Sequence, residues 1–213
     1  SASYASQYDS KNWTGLVTAS EITFSGSTPT TTLKWSSATV LENQLTGTGW
    51  DTARKVVTWN SDTGAGMAFR ATNLTGTQQT ALTPSGFGTS NTYTHIVNYL
   101  RGDRTNEVSS TATGSTHSLR NRGKLLGDVV GAKVTPVGPP AQPFSEKINP
   151  GYSKFKTDWA SRTTMVYVGA NDGMLHAFNG SLTGTDAGKE LFAYVHGALF
   201  NTAKTDGLVQ LAN

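Results

Sequence analysis

The clearest hydrophobic pattern in the chain is a pair of apolar runs separated by a short polar turn. The runs cover residues 165–170 and 174–178, and the turn between them is Asn171-Asp172-Gly173. This arrangement predicts a β-hairpin, because a tight primed turn needs a positive φ that glycine adopts without strain. Both arms are almost continuously apolar, which favours strands buried on both faces. A further aromatic strand is predicted at 190–194, after a turn glycine.

Similar units recur earlier in the chain. Residues 15–19 (GLVTA) repeat the Gly-apolar-apolar-polar-Ala order of residues 173–177 (GMLHA), and an aromatic residue follows at a similar distance in both. A strand at 54–60, a turn at 61–66 and a return at 67–69 resemble the same hairpin. Recurring strand–turn–strand units with an aromatic anchor are typical of propeller blades.

Helical periodicity is confined to short stretches. Tyr93, Ile96, Val97 and Leu100 fall on one face of a helix predicted over 91–101, with Gly102 at its C-terminal end. A second short helix is predicted over 152–161. The polar stretch 70–92 is predicted to be loop, and the Ser/Thr-rich stretch 105–118 is predicted to be a mobile loop.

Composition supports short strands joined by polar turns. Hydrophobic residues make up 36% of the chain and charged residues 15%, and there are 23 glycines. The absence of cysteine excludes a disulfide scaffold, a thiolate metal site and a cysteine nucleophile. The net charge of +3 arises without a block of Lys or Arg, so no nucleic-acid partner is expected. A start at Ser1 without a signal peptide leads us to expect a piece of a longer mature polypeptide.

The tripeptide Arg101-Gly102-Asp103 is the candidate binding site. As an integrin-type motif, its exposed Arg and Asp would bridge a receptor carboxylate and metal. The structural alternative is that Gly102 ends the helix, Arg101 lies in the last turn where a cation is favoured, and Asp103 begins a loop.

The remaining polar candidates favour structural interpretations. The four histidines lie far apart in the sequence without a metal-binding spacing, so no metal site is predicted; they are His95, His117, His176 and His196. For the two that flank apolar strands we expect a hydrogen-bonded structural role.

Three further expectations concern charged groups and catalysis. Asp172 is assigned to bonding its own turn backbone. Arg120, Arg122 and Lys124 are expected to be solvated, although they could contact phosphates or an acidic partner. Because the sequence shows no nucleophile elbow, phosphate-binding glycine loop, paired carboxylates or zinc motif, the chain is not predicted to be an enzyme.

Several strings resemble a known family in their order along the chain. They are Trp13-Thr14-Gly15-Leu16 with Trp35, residues 99–104 (YLRGDR), residues 120–122 (RNR) with 126–130 (LGDVV), and residues 165–178 (MVYVGANDGMLHAF) followed by 190–195 (ELFAYV). Together they resemble the PilC/PilY family, which comprises tip-associated adhesins and biogenesis factors of type IV pili.

The resemblance implies an all-β fold with minor helices, namely a modified quinoprotein-type β-propeller of antiparallel blades with short inserted helices. Residues 1–213 would form the first half of this C-terminal domain, truncated after Asn213. Within this incomplete propeller, blade-like segments are expected at 13–70 and 163–196, with an insert of helix and loops at 71–162. Such an unclosed propeller would expose sheet edges and be prone to aggregation.

The resemblance also implies a role at the pilus. A family member would promote pilus assembly, counter retraction and mediate surface and host-cell attachment. Its partners would be minor pilins at the tip, a host-cell receptor and the remaining half of the propeller. Its location would be extracellular, at the pilus tip or outer membrane of a Gram-negative bacterium.

One family feature is absent from the sequence. Family members can carry a calcium loop of the Asp-x-Asp-x-Asn/Asp type, and this chain has no such run. No cofactor is therefore expected in this segment, and any calcium site would lie in the remainder of the domain.

Two alternative functions remain open at this point. The hairpin with Gly188-Lys189-Glu190-Leu191 resembles the repeat of quinoprotein dehydrogenases, but the carboxylates that such an enzyme needs for calcium are not found. A lectin-like propeller is the other alternative, in which an exposed tryptophan would stack on a sugar.

Overall fold

The computed structural model describes residues 1–109 and 114–213, which form two β-sheets with short helices between their strands. The first sheet is antiparallel, with strand order β1-β2-β3. Its strands are β1 (Ala2–Asp9), β2 (Thr14–Ser25) and β3 (Thr28–Ser36). Alternate residues of β2, including Val17 and Ala19, are fully buried, so one face of this sheet packs on the core.

The second sheet contains the predicted hairpin. Its strand order is β5-β4-β9-β8-β7-β6. The strands are β4 (Val56–Asn60), β5 (Ala65–Ala68), β6 (Thr135–Val137), β7 (Met165–Ala170), β8 (Met174–Asn179) and β9 (Glu190–Val195). Val168 pairs with His176 across the hairpin, and Gly173 in the turn has a φ of +84°. The predicted hairpin and the predicted strand at 190–194 are confirmed.

A parallel pairing brings distant parts of the chain into this sheet. Val56 of β4 pairs with Ala193 of β9, whereas the other strand pairs are antiparallel. The segment 13–70 therefore contributes β2 and β3 to one sheet and β4 and β5 to the other. The proposed boundaries 13–70, 71–162 and 163–196 stay predictions.

The helices agree with the sequence only in part. They are α1 (Ser37–Leu45), α2 (Gly49–Thr52), α3 (Gly76–Leu82), α4 (Tyr93–Arg101) and α5 (Tyr152–Asp158). Helix α4 begins two residues later than predicted and ends at Arg101 with Gly102 as its C-cap, as predicted. Helix α5 begins at the predicted residue but ends three residues early.

Three helices were not predicted, namely α1, α2 and α3. The assignment of 70–92 to loop is wrong for residues 76–82, because Thr75 and Gln78 form a reciprocal capping box that starts α3. Helix α1 begins where the Ser36 side chain accepts a hydrogen bond from the Ala38 backbone amide. Part of the predicted mobile loop, residues 110–113, lies outside the described residues. Across the described ranges, no helix combines the length and apolar character that a bilayer crossing requires.

The buried apolar residues form two hydrophobic cores. The first joins β4, β8 and β9 to α3 and α4, and includes Phe69, Ile96 and Met174. The second joins the first sheet and α1 to the β7–β8 hairpin, and includes Trp35 and Phe178. Mostly antiparallel sheets with a few short helices confirm the predicted fold class.

Candidate functional site

The candidate tripeptide begins with an arginine that is buried. Arg101 is only 2% exposed. Its guanidinium donates to the carbonyl oxygens of Trp50 (3.1 Å), Asp51 (3.2 Å), Arg54 (3.2 Å) and Phe69 (3.2 Å). Burial, and then the nearby Arg70 charge, lower the pKa of Arg101 to about 10, which leaves it cationic at neutral pH. Three of these acceptors lie in or just after α2, where helix ends leave carbonyl groups without intrahelical partners, and the fourth follows β5.

Two other arginines bind the C-terminal end of α4. The Arg54 guanidinium donates to the carbonyl oxygens of Leu100 (3.2 Å) and Arg101 (2.9 Å). The Arg122 guanidinium donates to the carbonyl oxygens of Tyr99 (2.7 Å) and Asp103 (2.7 Å), and it lies 3.6 Å from the centroid of the Tyr99 ring. Cations at this position complement the negative end of the helix dipole and satisfy its free carbonyls.

The rest of the tripeptide is also part of the local packing. Gly102 has a φ of +121°, and a Cβ at this position would lie 3.2 Å from Trp50 Cβ. One Asp103 carboxylate oxygen accepts from the backbone amide (2.9 Å) and hydroxyl (2.6 Å) of Thr105. These contacts therefore support the structural interpretation of Arg101, Gly102 and Asp103. In this conformation the Arg101 guanidinium is not accessible to a receptor, and integrin binding stays a prediction.

A second cluster of buried charges links the hairpin to the rest of the second sheet. The Arg54 guanidinium donates to both Glu190 carboxylate oxygens, at 2.7 and 3.0 Å. His176 Nδ1 lies 2.7 Å from Glu190 Oε1, and its Nε2 lies 3.0 Å from Asp172 Oδ1. We call these four residues, Arg54, Asp172, His176 and Glu190, the ionic network.

The ionic network lies between the two hydrophobic cores. The His176 ring stacks on Phe178 of the second core, and Arg54 approaches the sulfur of Met174 of the first. The Gln44 side chain binds the backbone of Glu190 in both directions, donating to its carbonyl oxygen (2.8 Å) and accepting from its amide (2.9 Å). A buried charged group is tolerated where it is paired and hydrogen-bonded, as each member is here.

The network keeps all four of its groups ionised. Burial alone would lower the pKa of His176, but Asp172 and Glu190 outweigh burial and raise it to about 9. Burial alone would raise the pKa of Glu190, but Arg54 and His176 lower it to about 2. The pKa of Asp172 is lowered in the same way, because His176 and the Gly127 amide overcome the effect of its burial. Two cations and two anions then balance at neutral pH.

This arrangement favours a structural role over catalysis. His176 and Glu190 have no exposed side-chain surface, so neither group can exchange a proton directly with a substrate. A carboxylate–histidine pair also needs a nucleophile or a substrate atom within hydrogen-bond reach of the imidazole. Both imidazole nitrogens of His176 are already occupied by carboxylates.

The expectation for Asp172 was incomplete. It does bond its own turn, since Asp172 Oδ1 accepts from the Met174 amide (3.2 Å). However, Asp172 Oδ2 also accepts from the Gly127 amide (3.0 Å), and the carboxylate pairs with His176. The turn aspartate therefore joins three segments of the chain.

The expectation that the basic cluster is solvated is wrong for Arg122. This side chain is buried, and its Nε donates to Glu107 Oε1 at 2.6 Å. Arg120 Nε donates to the Leu211 carbonyl oxygen (3.2 Å), and the exposed Lys124 Nζ to that of Ala38 (3.3 Å). Sequence reasoning gave no role to Arg54, Glu107 or Glu190. Their position next to apolar strand and helix residues was the available signal, because charged residues are rarely buried without a partner.

The histidines occupy four separate environments. His176 is hydrogen-bonded inside the protein as expected, and His196 accepts from the Ala198 amide at the start of a short 3₁₀ turn. His95 accepts from the Thr92 amide, and His117 lies in the loop region. Among residues 1–109 and 114–213, no group of three or more His, Asp or Glu side chains is arranged to hold a metal ion.

Comparison with known proteins identifies relatives over most of the chain. Residues 126–208 match the family model described as the PilY1 beta-propeller domain. The chain is 33% identical over 199 residues, 89% of its length, to the type IV pilus biogenesis factor PilY1 of Pseudomonas aeruginosa strain PAK. It is 31% identical over 209 residues, 93% of its length, to PilY1 of strain UCBPP-PA14. This chain is related to the PilY1 proteins.

The PilY1 relationship confirms the resemblance seen in the sequence and supports a partial β-propeller. A PilY1 homolog of Xylella fastidiosa is 40% identical over 103 residues, which are 46% of this chain and 8% of that protein. The chain spans only 16% of the length of the two P. aeruginosa PilY1 proteins. No solved structure matches the chain.

Proposed function

We propose that the chain is the propeller portion of a type IV pilus biogenesis factor that also acts as a tip-associated adhesin. The observation that carries this proposal is the similarity to PilY1 of P. aeruginosa over 89% of the chain. In this role the protein promotes pilus assembly, counters retraction and mediates attachment to surfaces and host cells. It acts through surface contacts and not through catalysis.

The contacts of the candidate site support a role as a rigid binding scaffold. Three arginines hold the end of α4, and the ionic network ties the hairpin to β4 and the sheet interior. Such buried, fully paired charges fix one arrangement of the elements that carry them. A factor that binds other proteins under mechanical load benefits from a preorganised surface.

The proposed partners and location follow from the same relationship. We place the protein outside the cell, at the pilus tip or on the outer membrane of a Gram-negative bacterium. Its proposed partners are minor pilins, a host-cell receptor and the rest of the propeller domain.

The test replaces the chromosomal copy with an allele lacking the codons for residues 1–213. We expect loss of surface pili, measured by electron microscopy and by the pilin content of sheared fractions, and loss of attachment to epithelial cells. The control is the exposed substitution Lys154→Ala, whose side chain is 76% exposed and pairs with Asp158 of the same helix. Normal piliation and attachment in the deletion strain would refute the proposal.

A further inference from the structure

A surface cavity lies beside the ionic network and has the features of a ligand site. Its volume is about 540 Å³, and it lies where the β1–β2 turn meets the β7–β8 turn. Trp13, Arg120, Asp128, Asn171, Gln210 and Leu211 contribute to its walls. A concave site of this size with one aromatic and several polar side chains is typical of small-molecule binding. We call it the Trp13 cavity.

The exposure and the backbone conformation of Trp13 are both unfavourable for the stability of the folded state. Its side chain is 62% exposed, although tryptophan is among the residues that gain most from burial. Its φ is +54°, a left-handed conformation that disfavours bulky side chains. The preceding turn holds this conformation, because the Asp9 carboxylate accepts from the Lys11 amide (2.9 Å) and the Asn12 side chain (2.7 Å). Strained and exposed placements of this kind are found mainly at functional sites, so Trp13 is a candidate for binding a ligand.

The base of the Trp13 cavity is rigid because three backbone segments meet closely. The Gly15 amide donates to the Leu126 carbonyl oxygen (3.0 Å), and the Asn171 amide donates to that of Asp128 (2.9 Å). A Cβ on Gly15 would collide with the Gly127 carbonyl oxygen, and a Cβ on Gly127 would lie 2.5 Å from the Asp172 amide nitrogen. The backbone positions that carry Asp128 and Asn171 are therefore held close together next to Gly15.

The polar groups around the indole include both donors and acceptors. Asn171 Nδ2 donates to Asp128 Oδ2 (3.1 Å), and Arg120 Nε donates to the Leu211 carbonyl oxygen (3.2 Å). Within residues 1–109 and 114–213, no protein partner is found for the Arg120 Nη atoms, Asp128 Oδ1 or Asn171 Oδ1. One cation and one anion face the same space, which does not favour a strongly charged ligand.

We propose that the Trp13 cavity binds a neutral saccharide. A pyranose ring has a face of C–H groups that stacks on an indole, and a rim of hydroxyl groups that both donate and accept hydrogen bonds. Asp128 and Asn171 accept from vicinal hydroxyl groups, and Arg120 donates to a hydroxyl oxygen. This proposal goes beyond the pilus role, and its test uses the purified chain, so its failure leaves that role untouched.

In the experiment, the purified chain is titrated with methyl glycosides of galactose, mannose and N-acetylglucosamine. Binding is measured by calorimetry and by tryptophan fluorescence. We expect saturable binding of at least one of these probes, with a Kd of about 1 mM or tighter. Trp13→Gly should weaken that binding by at least about tenfold. Because glycine adopts this φ freely, the same variant should have an unchanged or higher unfolding midpoint, which separates lost binding from misfolding. Asp128→Asn should also weaken binding.

The matched control is Trp159→Ala, which removes another exposed tryptophan (49% exposed) outside the Trp13 cavity and should leave binding unchanged. N-acetylneuraminic acid serves as the acidic probe. Binding of the acidic probe alone, equal binding by Trp13→Gly and the unaltered chain, or no saturable binding of the neutral probes would each overturn the proposal.

Discussion

The raised pKa of His176 predicts that the protein loses stability at mildly alkaline pH. The folded-state pKa is about 9, against an ordinary value of 6.5. When the folded-state pKa is the higher one, the contribution to stability is fully present below the unfolded pKa and is lost as pH rises through the folded pKa. The window for the loss therefore runs from pH 6.5 to about pH 9.

The size of this loss follows from the same two values. Each unit of pKa difference corresponds to about 1.4 kcal/mol, so a difference of about 2.5 units gives about 3–4 kcal/mol. No correction for solvent screening is needed, because His176 is fully buried. A small domain has a total unfolding free energy of about 5–15 kcal/mol, so this loss would be readily measured.

The assay is urea unfolding of the chain at several pH values between 6.5 and about 9, monitored by circular dichroism. His176→Gln should remove most of the pH dependence, although this variant should also be less stable at every pH. His196→Gln is the matched control, because His196 is exposed, and it should keep the slope of the unaltered chain. NMR titration of the His176 imidazole in the unaltered chain gives a second reading that does not depend on the stability of any variant.

The reasoning would be refuted by either of two results. One is an unfolding free energy that stays constant from pH 6.5 to pH 9 in the unaltered chain. The other is an imidazole titration of His176 at or below its ordinary value of 6.5, which would mean that burial outweighs the two carboxylates.

Three further substitutions test the contacts described above, each by urea unfolding. Glu190→Gln should lower the unfolding free energy by about 3–5 kcal/mol, because Arg54 would remain buried without its carboxylate; a change below 1 kcal/mol would contradict the pairing. Gly127→Ala should cost about 1–3 kcal/mol through overlap with the backbone, while Gly66→Ala, which has open space around it, should cost much less. Arg101→Lys should lower the unfolding free energy by about 2 kcal/mol or more, because one ammonium group cannot reach four carbonyl oxygens. Unchanged stability would contradict the structural role of Arg101.

Local patterns predicted the elements that depend on neighbouring residues. The β7–β8 hairpin followed from its turn residues and apolar arms, and α4 followed from its 3.6-residue periodicity and Gly102. Helix α3 was missed because its start depends on one polar pair, Thr75 and Gln78, within a stretch rich in Gly, Thr and Ser.

The candidate site was less predictable because its partners are distant in the sequence. Arg54 and Glu190 are 136 residues apart, and nothing in either local stretch indicates the other. The sequence left the Arg-Gly-Asp string open to an exposed or a structural interpretation, because three of the four acceptors of Arg101 lie in or just after α2, 47 to 51 residues earlier. The sequence did not distinguish Trp13 from the other tryptophans, because its distinguishing features are its positive φ and the residues that surround it in the fold.

The arginine contacts at the end of α4 have a consequence for how the chain reaches its native state. Arg54 reaches this helix from 46 residues upstream, and Arg122 reaches it from 23 residues downstream. Contacts of such long sequence separation slow folding, since the loops between them must close first. The last turn of α4 should therefore acquire its hydrogen-exchange protection late, together with the second sheet, and a nascent chain that stops before Arg122 should leave that turn frayed.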